Sequence, residues 1–372
     1  MYRYKLPITS LISIFSARNV SIGAEQYRLI QRKELSPDSF LLRFSLPTTV
    51  KTSASSPTIS TLGPDPTIPT CISITLPKGT DVYGNGNPTN RDISKSYSPI
   101  SHPATRGFFD LIVKAYPPRE GGGVARYLTH YLQVSNENVT HSKDLNDMDE
   151  MKNDEDTMTC TDSNSMETCR SKDIPVAIQG TLKPPRNVHG SPAIIGRWDH
   201  IGLVAGGTGI APLIQIASLI LEANSKIDPK SKKEKRTTIH VLSINRNQQD
   251  ILYKEQLDRW AEEYPNDFLV TYSLTSDSSD YDTDDSEYRR GRGSAQMAKD
   301  SLPSPLDING KDGTYTNSMV FVCGTDGFVK SWGGSIRRAP RKADGSKGPK
   351  IQGPLEGWLK EAGFLEHQVF KY

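Results

Sequence analysis

The chain of 372 residues carries 45 basic and 43 acidic residues, and only 35% of it is hydrophobic. This length predicts two domains, and a mean hydropathy of −0.53 indicates that part of the chain is not packed in a core. Four cysteines without a CxxC pair or metal-ligand spacing argue against a disulfide scaffold and a structural metal. The formal net charge of +2 gives no reason to expect a nucleic-acid partner.

The first 26 residues contain Arg3, Lys5 and Arg18, with no acid before Glu25. Serine and bulky apolar residues are frequent among them, as in a mitochondrial presequence, whereas a secretory signal needs a longer unbroken apolar core. A polar N-terminal tail without a targeting role is the alternative. We expect a mitochondrial location, at the inner membrane or in the intermembrane space, and the sequence leaves peripheral membrane association open.

Short strands and dense turns follow, and they predict an antiparallel β-barrel over residues 27–190. Two strands flank a Ser-Pro-Asp turn, and a Ser/Thr/Pro-rich excursion covers residues 48–69. Further strands are predicted at CISITLP, FFDLIVKAY and IPVAIQGTLKPP, and a glycine turn opens a short helix at GGGVARYLTHYL. The composition of ISKSYSPIS, residues 93–101, is typical of a surface loop.

An insert in this half, residues 136–173, is strongly acidic and almost without large apolar residues. Such a segment buries too little surface to offset the entropy of ordering, so we predict disorder. Cys160 and Cys169 are incidental on this interpretation. A tether for a basic partner is the alternative function of the insert.

From residue 191 onward, strands alternate with helices, which predicts a parallel sheet in an α/β domain over residues 191–372. The predicted strands are HIGLVAG, TTIHVLSIN, DFLVTYSL and SMVFVCG, and the predicted helices are APLIQIASLILEA, ILYKEQLDRWAEEY and GPLEGWLKEAGF. Residues 276–318 and 337–350 are predicted to be surface loops. The uncharged run 201–221 is long enough to cross a bilayer, but its GGTG sequence and proline favour a buried strand, a turn and a helix.

Two glycine turns carry the strongest indication of chemistry. In GLVAGGTGIAP a buried strand runs into glycines and then into a helix, whose first N–H groups can face a phosphate. In MVFVCGTDGF, residues 319–328, a second strand ends at Cys323 and a glycine. Because carboxyl ends of parallel strands share one edge, both turns are predicted to flank one ligand. A purely structural turn, and a small buried thiol at Cys323, are the alternatives.

Five motifs follow one another along the chain: a Tyr-Ser-Pro segment, a strand with Lys and Tyr, a glycine turn with a helix, GGTGIAP and CGTDGF. In this the chain resembles the cytochrome b5 reductase/ferredoxin–NADP reductase family over residues 27–135 and 174–372. Its ending, KGPKIQGPLEGWLKEAGFLEHQVFKY, is most similar to the fungal mitochondrial flavoprotein branch linked to cytochrome c haem attachment.

The resemblance implies an FAD-binding barrel followed by an NAD(P)-binding domain. It further implies that a hydride passes from NADH or NADPH to FAD, and that single electrons then pass to haem or a haem protein. The expected partner is cytochrome c or its assembly machinery, or a cytochrome b5-like protein.

The resemblance also implies roles for individual residues. Tyr97 would lie against the flavin, Lys114 near the nicotinamide and Tyr116 near the flavin. The predicted catalytic residues are Ser98, near flavin N5, Thr208, close to both cofactors, and Cys323, a packing residue beside the nicotinamide. The predicted cofactor-binding residues of the barrel half are Lys95, Tyr97, Ser98, Pro99, Ile112, Lys114, Tyr116, Gly121, Gly122, Gly123, Val124, Ala125 and Arg126. Those of the nucleotide half are Gly206, Gly207, Thr208, Gly209, Pro212, Cys323, Gly324, Gly327 and Phe328.

Three positions depart from the family's pattern. Lys95 replaces an arginine, which keeps the charge but loses the bidentate fork for pyrophosphate. Ala125 replaces a hydroxyl residue, and the neighbouring Arg126 is a candidate replacement contact. Thr275 stands where NADH-selective members place an acid, so NADPH is not excluded. Lys95 and Ala125 favour the alternative function, a catalytically weak reductase-like scaffold that binds a haem-assembly partner.

Overall fold

A computed structural model of the chain describes residues 27–46, 48–49, 58–59, 61–62, 65, 67–117, 123–132, 134, 181–187, 194–228, 235–276, 288–305, 308–309, 314–315, 317–341, 348 and 350–372. The predicted presequence, the acidic insert, Gly121 and Gly122 lie outside these residues.

The first domain consists of antiparallel strands and one short helix, as predicted. Its main elements are, in chain order, β1 (Leu29–Ser36), β2 (Ser39–Ser45), β3 (Thr70–Leu76), β4 (Ile93–Tyr97), β5 (Phe108–Lys114), α1 (Val124–Arg126, continued by a π-helical turn over Tyr127–Tyr131) and β6 (Thr181–Asn187). Strands β1, β2 and β5 form one antiparallel sheet, and β4, β3 and β6 form another. Within the excursion predicted over residues 48–69, Thr48–Thr49 pairs with Thr58–Ile59.

The two sheets of this domain bury one face each in a common apolar core. Along β2, the buried Leu42 and Phe44 alternate with half-exposed residues, which is the period of a strand with one face in the core. The ring of Phe44 stacks on that of Phe109 with centroids 5.4 Å apart. Ile72 and Ile74, from the second sheet, lie in the same core.

The second domain alternates strands and helices. Its main elements are β7 (His200–Gly206), α2 (Ile210–Ser225), β8 (Thr238–Asn245), α3 (Lys254–Glu263), β9 (Phe268–Leu274), β10 (Tyr288–Arg290), α4 (Ala295–Ser301), β11 (Ser318–Cys323), α5 (Asp326–Gly333), α6 (Gly357–Glu361) and β12 (Val369–Lys371). The four predicted strands are all present, which confirms the α/β class. Among the described residues, no helix has the length and apolar content that crossing a membrane requires.

The six strands of this domain form one parallel sheet in the order β10-β9-β8-β7-β11-β12. The chain moves outward from β7 through β8, β9 and β10, and then returns to the other side of β7 at β11. The loops that follow β7 and β11 therefore diverge from neighbouring strands, which is the switch point where open α/β sheets bind ligands. Both predicted glycine turns lie at this point.

The two domains pack directly against each other. Ile100 and Ile112 of the first domain belong to the same apolar core as α2 and the parallel sheet. The fully buried Gln215 of α2 accepts a hydrogen bond from the backbone N–H of Thr70 at 2.7 Å. Its amide group donates to the carbonyl of Ser101 at 3.1 Å. An interface with buried apolar and polar contacts holds the cleft between the domains in a defined shape.

The structure corrects two predictions of loops. In ISKSYSPIS, residues Ile93–Tyr97 form strand β4, which pairs with β3. Ile93 is buried whereas Ser94 and Ser96 are exposed, so the ladder and the alternation outweigh the hydroxyl-rich composition. The polar stretch 276–318 contains β10 and α4. The hydroxyl of Ser294 caps α4 by accepting the N–H of Met297 at 2.9 Å.

Two helices are shorter than predicted because a residue at the start of each has left-handed backbone. Tyr253 has φ +63°, so α3 begins only at Lys254. Gly357 has φ +73°, and α6 begins there rather than at the preceding glycine and proline.

The last strand, β12, pairs with β11. Its neighbour Tyr372 stacks on Phe321 with centroids 6.1 Å apart.

Candidate functional site

A cleft of about 490 Å³ opens between the two domains at the carboxyl edge of the parallel sheet. The first domain contributes Ser39, Lys114 and Tyr116 to its walls. The second domain contributes Gly206, Gly207, Thr208, Ile244, Asn245, Arg246, Asp250, Leu252, Thr275, Arg292, Thr325, Gly327, Phe328, Ser331 and Trp358. Residues predicted from both halves of the sequence therefore meet around one cavity.

The two glycine turns pack against each other at the floor of this cleft. Strands β7 and β11 are neighbours, with Ala205 opposite Cys323. A Cβ added to Gly209 would lie 2.2 Å from the carbonyl oxygen of Cys323. The ring of Phe328 covers both turns. A Cβ added to Gly206 would lie 2.8 Å from this ring, and a Cβ added to Gly324 would lie 2.6 Å from it. Glycine is needed here for packing as well as for the approach of a ligand.

Helix α2 begins at this end of the cleft, directly after the 3₁₀ turn Gly207–Gly209, whose carbonyl oxygens accept the N–H of Ile210. No described side chain caps its N-terminus, and its first turn contains no acid. Pro212 is buried in that first turn. The helix loses no hydrogen bond there, because N–H groups of the first turn have no partner within a helix. In contrast, α5 is capped by Thr325, whose hydroxyl accepts the N–H of Phe328 at 3.3 Å. The uncapped turn fits the phosphate of a nucleotide.

Cys323 is the last residue of β11, beside the two glycine turns, and the residue is partly buried. Burial raises its pKa to about 12, so the thiol stays protonated at neutral pH. A neutral thiol is a poor nucleophile, which agrees with the predicted packing role beside the nicotinamide. The catalytic roles of Cys323, Ser98 and Thr208 stay predictions.

The predicted flavin contacts form a cluster in the first domain. The hydroxyl of Tyr97 is buried and has no hydrogen-bond partner among the described residues, and burial raises its pKa above the ordinary range. The ammonium of Lys95 lies 5.4 Å from the ring centroid of Tyr97 and 5.3 Å from that of Tyr116. Ser98 and the buried Pro99 follow directly on the chain. A buried hydroxyl without a protein partner fits a ligand that supplies one, as FAD does.

The predicted pyrophosphate turn ends at Gly123, which has φ +123° and is the N-cap residue of α1. A Cβ at Gly123 would lie 2.5 Å from the side chain of Val82, so no larger residue fits. The side chains of Val124 and Ala125 are buried in the barrel core, and each can offer a ligand only its backbone N–H. Arg126 is half-exposed at this site. The methyl group of Ala125 therefore lies in the core and does not face the expected phosphate.

A row of charged side chains crosses the cleft. Asp38 accepts from Lys114 at 2.7 Å and from Arg246 of the other domain at 3.0 Å. Arg246 also binds Asp250 at 2.7 Å. Burial alone would raise the pKa of Asp38, but hydrogen bonds from Lys114 and Ser39 and the charge of Arg246 outweigh it and hold this pKa below its usual value. The ammonium of Lys114 is thereby held at the cleft wall.

Two domain models match the chain. An oxidoreductase FAD-binding domain matches residues 68–139, and an oxidoreductase NAD-binding domain matches residues 203–332. The chain belongs to the cytochrome b5 reductase/ferredoxin–NADP reductase family. The order of the two matched domains is the order of the barrel and the parallel sheet, and the matched ranges contain both predicted glycine turns.

Relatives within this family include two fungal proteins. The chain is 28% identical to an NADH-cytochrome b5 reductase 2 of Aspergillus terreus over 75% of this chain and 63% of that protein. It is 33% identical to an NADH-cytochrome b5 reductase 2 of Saccharomyces cerevisiae over 47% of this chain and 48% of that protein. The chain thus matches less than two thirds of the length of either relative.

A solved structure shows the same family fold. The cytochrome b5 reductase domain of Ulva prolifera nitrate reductase superposes with a TM-score of 0.52 at 16% identity, over 93% of this chain and 96% of that one. The architecture of an antiparallel β-domain followed by a parallel sheet is thus common to both.

Sequence reasoning found the glycine end of this reductase-family cleft but missed most of the other end. Arg246, Asp250, Arg292 and Trp358 were not predicted. The strand-end rule identifies Arg246, since it directly follows β8. Arg292 is missed because the polar composition of residues 276–318 predicts a loop, and Trp358 is missed because α6 has no glycine turn. Ile112 lies in the core between the domains, and its predicted cofactor contact stays a prediction.

Proposed function

We propose that the chain is an FAD-dependent oxidoreductase that takes a hydride from NADH or NADPH and passes single electrons to a haem protein. One observation carries the proposal: Lys114 and Tyr116 of the FAD-binding domain line the same cleft as the two glycine turns of the NAD-binding domain. FAD, when bound, accepts a hydride and releases electrons one at a time.

The residues of this chain supply position and shielding in the proposed reaction. Tyr97 and Tyr116 offer rings and hydroxyls to the flavin, and Asp38 holds Lys114 at the cleft wall. Thr208 lies in the turn between β7 and α2, where its hydroxyl can contact a bound nicotinamide nucleotide. The buried interface around Gln215 keeps the two walls at a constant separation, which orients the reactants and excludes water.

For the electron acceptor we propose a cytochrome b5-like protein or cytochrome c, with a role in cytochrome c haem attachment as the finer proposal. The names of the fungal relatives support a cytochrome acceptor. The resemblance of residues 347–372 to the haem-attachment branch supports the finer role, and the composition of residues 1–26 supports a mitochondrial location. A fluorescent fusion of the full chain tests the location.

The test of the enzyme is anaerobic. Purified full chain with bound FAD is mixed with NADH or NADPH, and loss of flavin absorbance is followed before oxidised cytochrome b5 or cytochrome c is added. We expect rapid bleaching and then reduction of a cytochrome. A chain that cannot be loaded with FAD, or FAD that neither nucleotide bleaches, would favour the scaffold function instead.

Lys114→Met provides a matched variant for this test. Because the ammonium lines the cleft, we expect its loss to slow flavin bleaching about tenfold or more, which corresponds to one charge-assisted contact. Lys33→Met removes the same charge from an exposed position on β1 and should bleach at the normal rate. Equal rates in the two variants would contradict the assignment of the cleft.

A further inference from the structure

A second cavity lies at the opposite edge of the parallel sheet from the cleft. Its volume is about 710 Å³, which is in the usual range for small-molecule sites. The wall consists of the segment that leads into β7, the residue before β8 and the last turns of α2. Because α2 is 16 residues long, about 24 Å of helix separates this cavity from the glycine turns. The proposed oxidoreductase reaction does not use it.

We propose that this cavity binds a small amphipathic carboxylate, with the carboxylate on Arg197 and the apolar body against Ile195 and Trp198. Three features of the wall identify the ligand: apolar surface that is open to the cavity, a guanidinium without an acidic partner, and acids that already have partners. None of these three residues lines the cleft between the domains, so the site goes beyond the proposed function.

Buried polar contacts hold the wall of the cavity in place. The hydroxyl of Thr237 donates to the carbonyl of Trp198 at 2.7 Å. The side chain of Asn224, near the end of α2, accepts the N–H of Thr237 at 3.0 Å and donates to its carbonyl at 2.9 Å. Thr237 and Asn224 are both buried. These bonds tie the three segments of the wall together, so the cavity is preformed.

Apolar side chains form one part of the wall. Leu219 and Ile220 of α2 line the cavity and are otherwise buried, whereas Ile195 is 39% exposed. Left-handed backbone at Gly196, with φ +69°, turns the chain so that Ile195 and Arg197 both line the cavity. An apolar body that covers Ile195 would remove this surface from water.

Arg197 supplies the positive charge of the site. Its carbon Cζ lies 5.1 Å from the ring centroid of Trp198, so the guanidinium stacks over the indole. Stacking uses the face of a guanidinium and leaves the N–H groups of its edge to form two parallel hydrogen bonds with a carboxylate. No carboxylate among the described residues lies within ion-pair distance of Arg197.

The two acids of the wall have partners within the chain. One carboxylate oxygen of Asp199 accepts the N–H of Asn317 at 3.0 Å, and the other lies 3.7 Å from the ammonium of Lys235. The carboxylate of Glu222 accepts from Lys226 at 2.5 Å. Neither acid therefore offers the cavity an unpaired negative charge.

The last carbonyl groups of α2 that line the cavity also have partners. The carbonyl of Ala223 accepts the N–H of Lys226 at 3.1 Å, and that of Asn224 accepts the N–H of Ile227 at 3.2 Å. A cation would need free carbonyl groups at this helix end. The charge left unpaired in the wall is thus positive, and the head group that it suits is negative.

The test measures binding directly. Isothermal titration of the FAD-loaded full chain at neutral pH compares octanoate with octanol, which has the same body without the charge, and with octylammonium, which has the opposite charge. We expect octanoate to bind about tenfold tighter than either, as one charge-assisted contact provides. No binding of octanoate, equal binding of the three probes or a preference for octylammonium would overturn the proposal.

Two variants and two matched controls locate the site. Arg197→Gln should weaken octanoate binding about tenfold and remove its advantage over octanol. Ile195→Ser should weaken both probes about threefold. Arg91→Gln and Ile351→Ser make the same changes at positions that are also exposed but lie outside the cavity, and both should bind octanoate as the wild type does. If Arg91→Gln weakens octanoate binding as much as Arg197→Gln, the effect is a general one of charge and the site is refuted.

A competition experiment separates this cavity from the cleft. Octanoate is titrated again into the chain saturated with NAD⁺, which occupies the cleft under the proposed function. Unchanged octanoate affinity supports the proposal, whereas displacement of octanoate by NAD⁺ would put the carboxylate in the cleft and overturn it. If the chain does not bind NAD⁺, the proposed function fails, while the Arg197 and Ile195 variants still decide the role of the cavity.

Discussion

Replacement of Gln215 by leucine tests how strongly the two domains depend on each other. Gln215 is fully buried in α2 and makes three hydrogen bonds to the first domain: from the N–H of Thr70 at 2.7 Å, to the hydroxyl of Thr70 at 3.3 Å and to the carbonyl of Ser101 at 3.1 Å. Leucine has a similar volume, so it fills the site without replacing any of these bonds.

The expected cost follows from the groups left behind. Thr70 is itself fully buried, so its N–H loses its partner without access to water, at a cost of about 1–3 kcal/mol. The half-exposed Ser101 carbonyl recovers a water, and the leucine side chain gains a little apolar burial. We therefore expect Gln215→Leu to lower the free energy of unfolding by about 2 kcal/mol, or roughly 30-fold in the equilibrium constant.

The assay exploits the placement of the chromophores. All four tryptophans lie between residues 198 and 358, so their fluorescence in urea reports on the second domain, while release of FAD reports on the first. With the interface intact the two transitions should coincide, and in Gln215→Leu the FAD should leave first. Gln296→Leu, an exposed change of the same kind in α4, should alter stability by less than about 0.5 kcal/mol. Coincident transitions in Gln215→Leu, or a loss no larger than in the control, would refute the reasoning.

Three further predictions concern the cleft. Urea titrations between about pH 3 and about pH 7 measure the difference in stability between the wild type and Asp38→Asn. This difference should be constant above the ordinary carboxyl pKa and vanish as the pH falls through the lowered pKa of folded Asp38, because protonation ends both ion pairs. A difference in stability that persists in acid would contradict the prediction. Gly209→Ala should cost about 3 kcal/mol in a urea melt because its Cβ meets the Cys323 carbonyl. By contrast, Gly327→Ala, with no described heavy atom within 4 Å, should stabilise α5 by up to about 1 kcal/mol; similar melts for both would count against the packing argument. Cys323, whose pKa burial raises to about 12, should resist iodoacetamide until denaturant is added, as read by mass spectrometry, and early alkylation would show an accessible thiolate.

The parts of the fold that sequence predicted well are those where one local pattern decides the structure. Strand β7 is a continuous apolar run followed by glycines, and α2 is apolar on nearly every side because it lies between the sheet and the first domain. The sequence alone places the two glycine turns on one edge, because both follow strands of a parallel sheet and its carboxyl ends share one edge.

The parts that sequence missed depend on pairing between distant segments. Strand β4 looks like a loop until β3 is beside it, and α4 shows only the two buried residues Met297 and Ala298 on its apolar side. Arg292 enters the cleft because β10 pairs with β9, a contact that hydropathy does not encode. The charge network of Asp38 likewise joins residues 208 positions apart.

The two ends of the cleft differ in how freely their residues can change. At the glycine end any side chain at Gly209 meets the neighbouring turn, so the geometry of this end depends on the packing of β7 against β11. At the far end Thr275 and Arg292 each follow a strand. The backbone hydrogen bonds that hold these strands do not involve the side chains of Thr275 and Arg292. A single substitution there can change the lining of the cleft without disturbing the sheet. The far end of the cleft can therefore tolerate changes of side chain that the glycine end cannot.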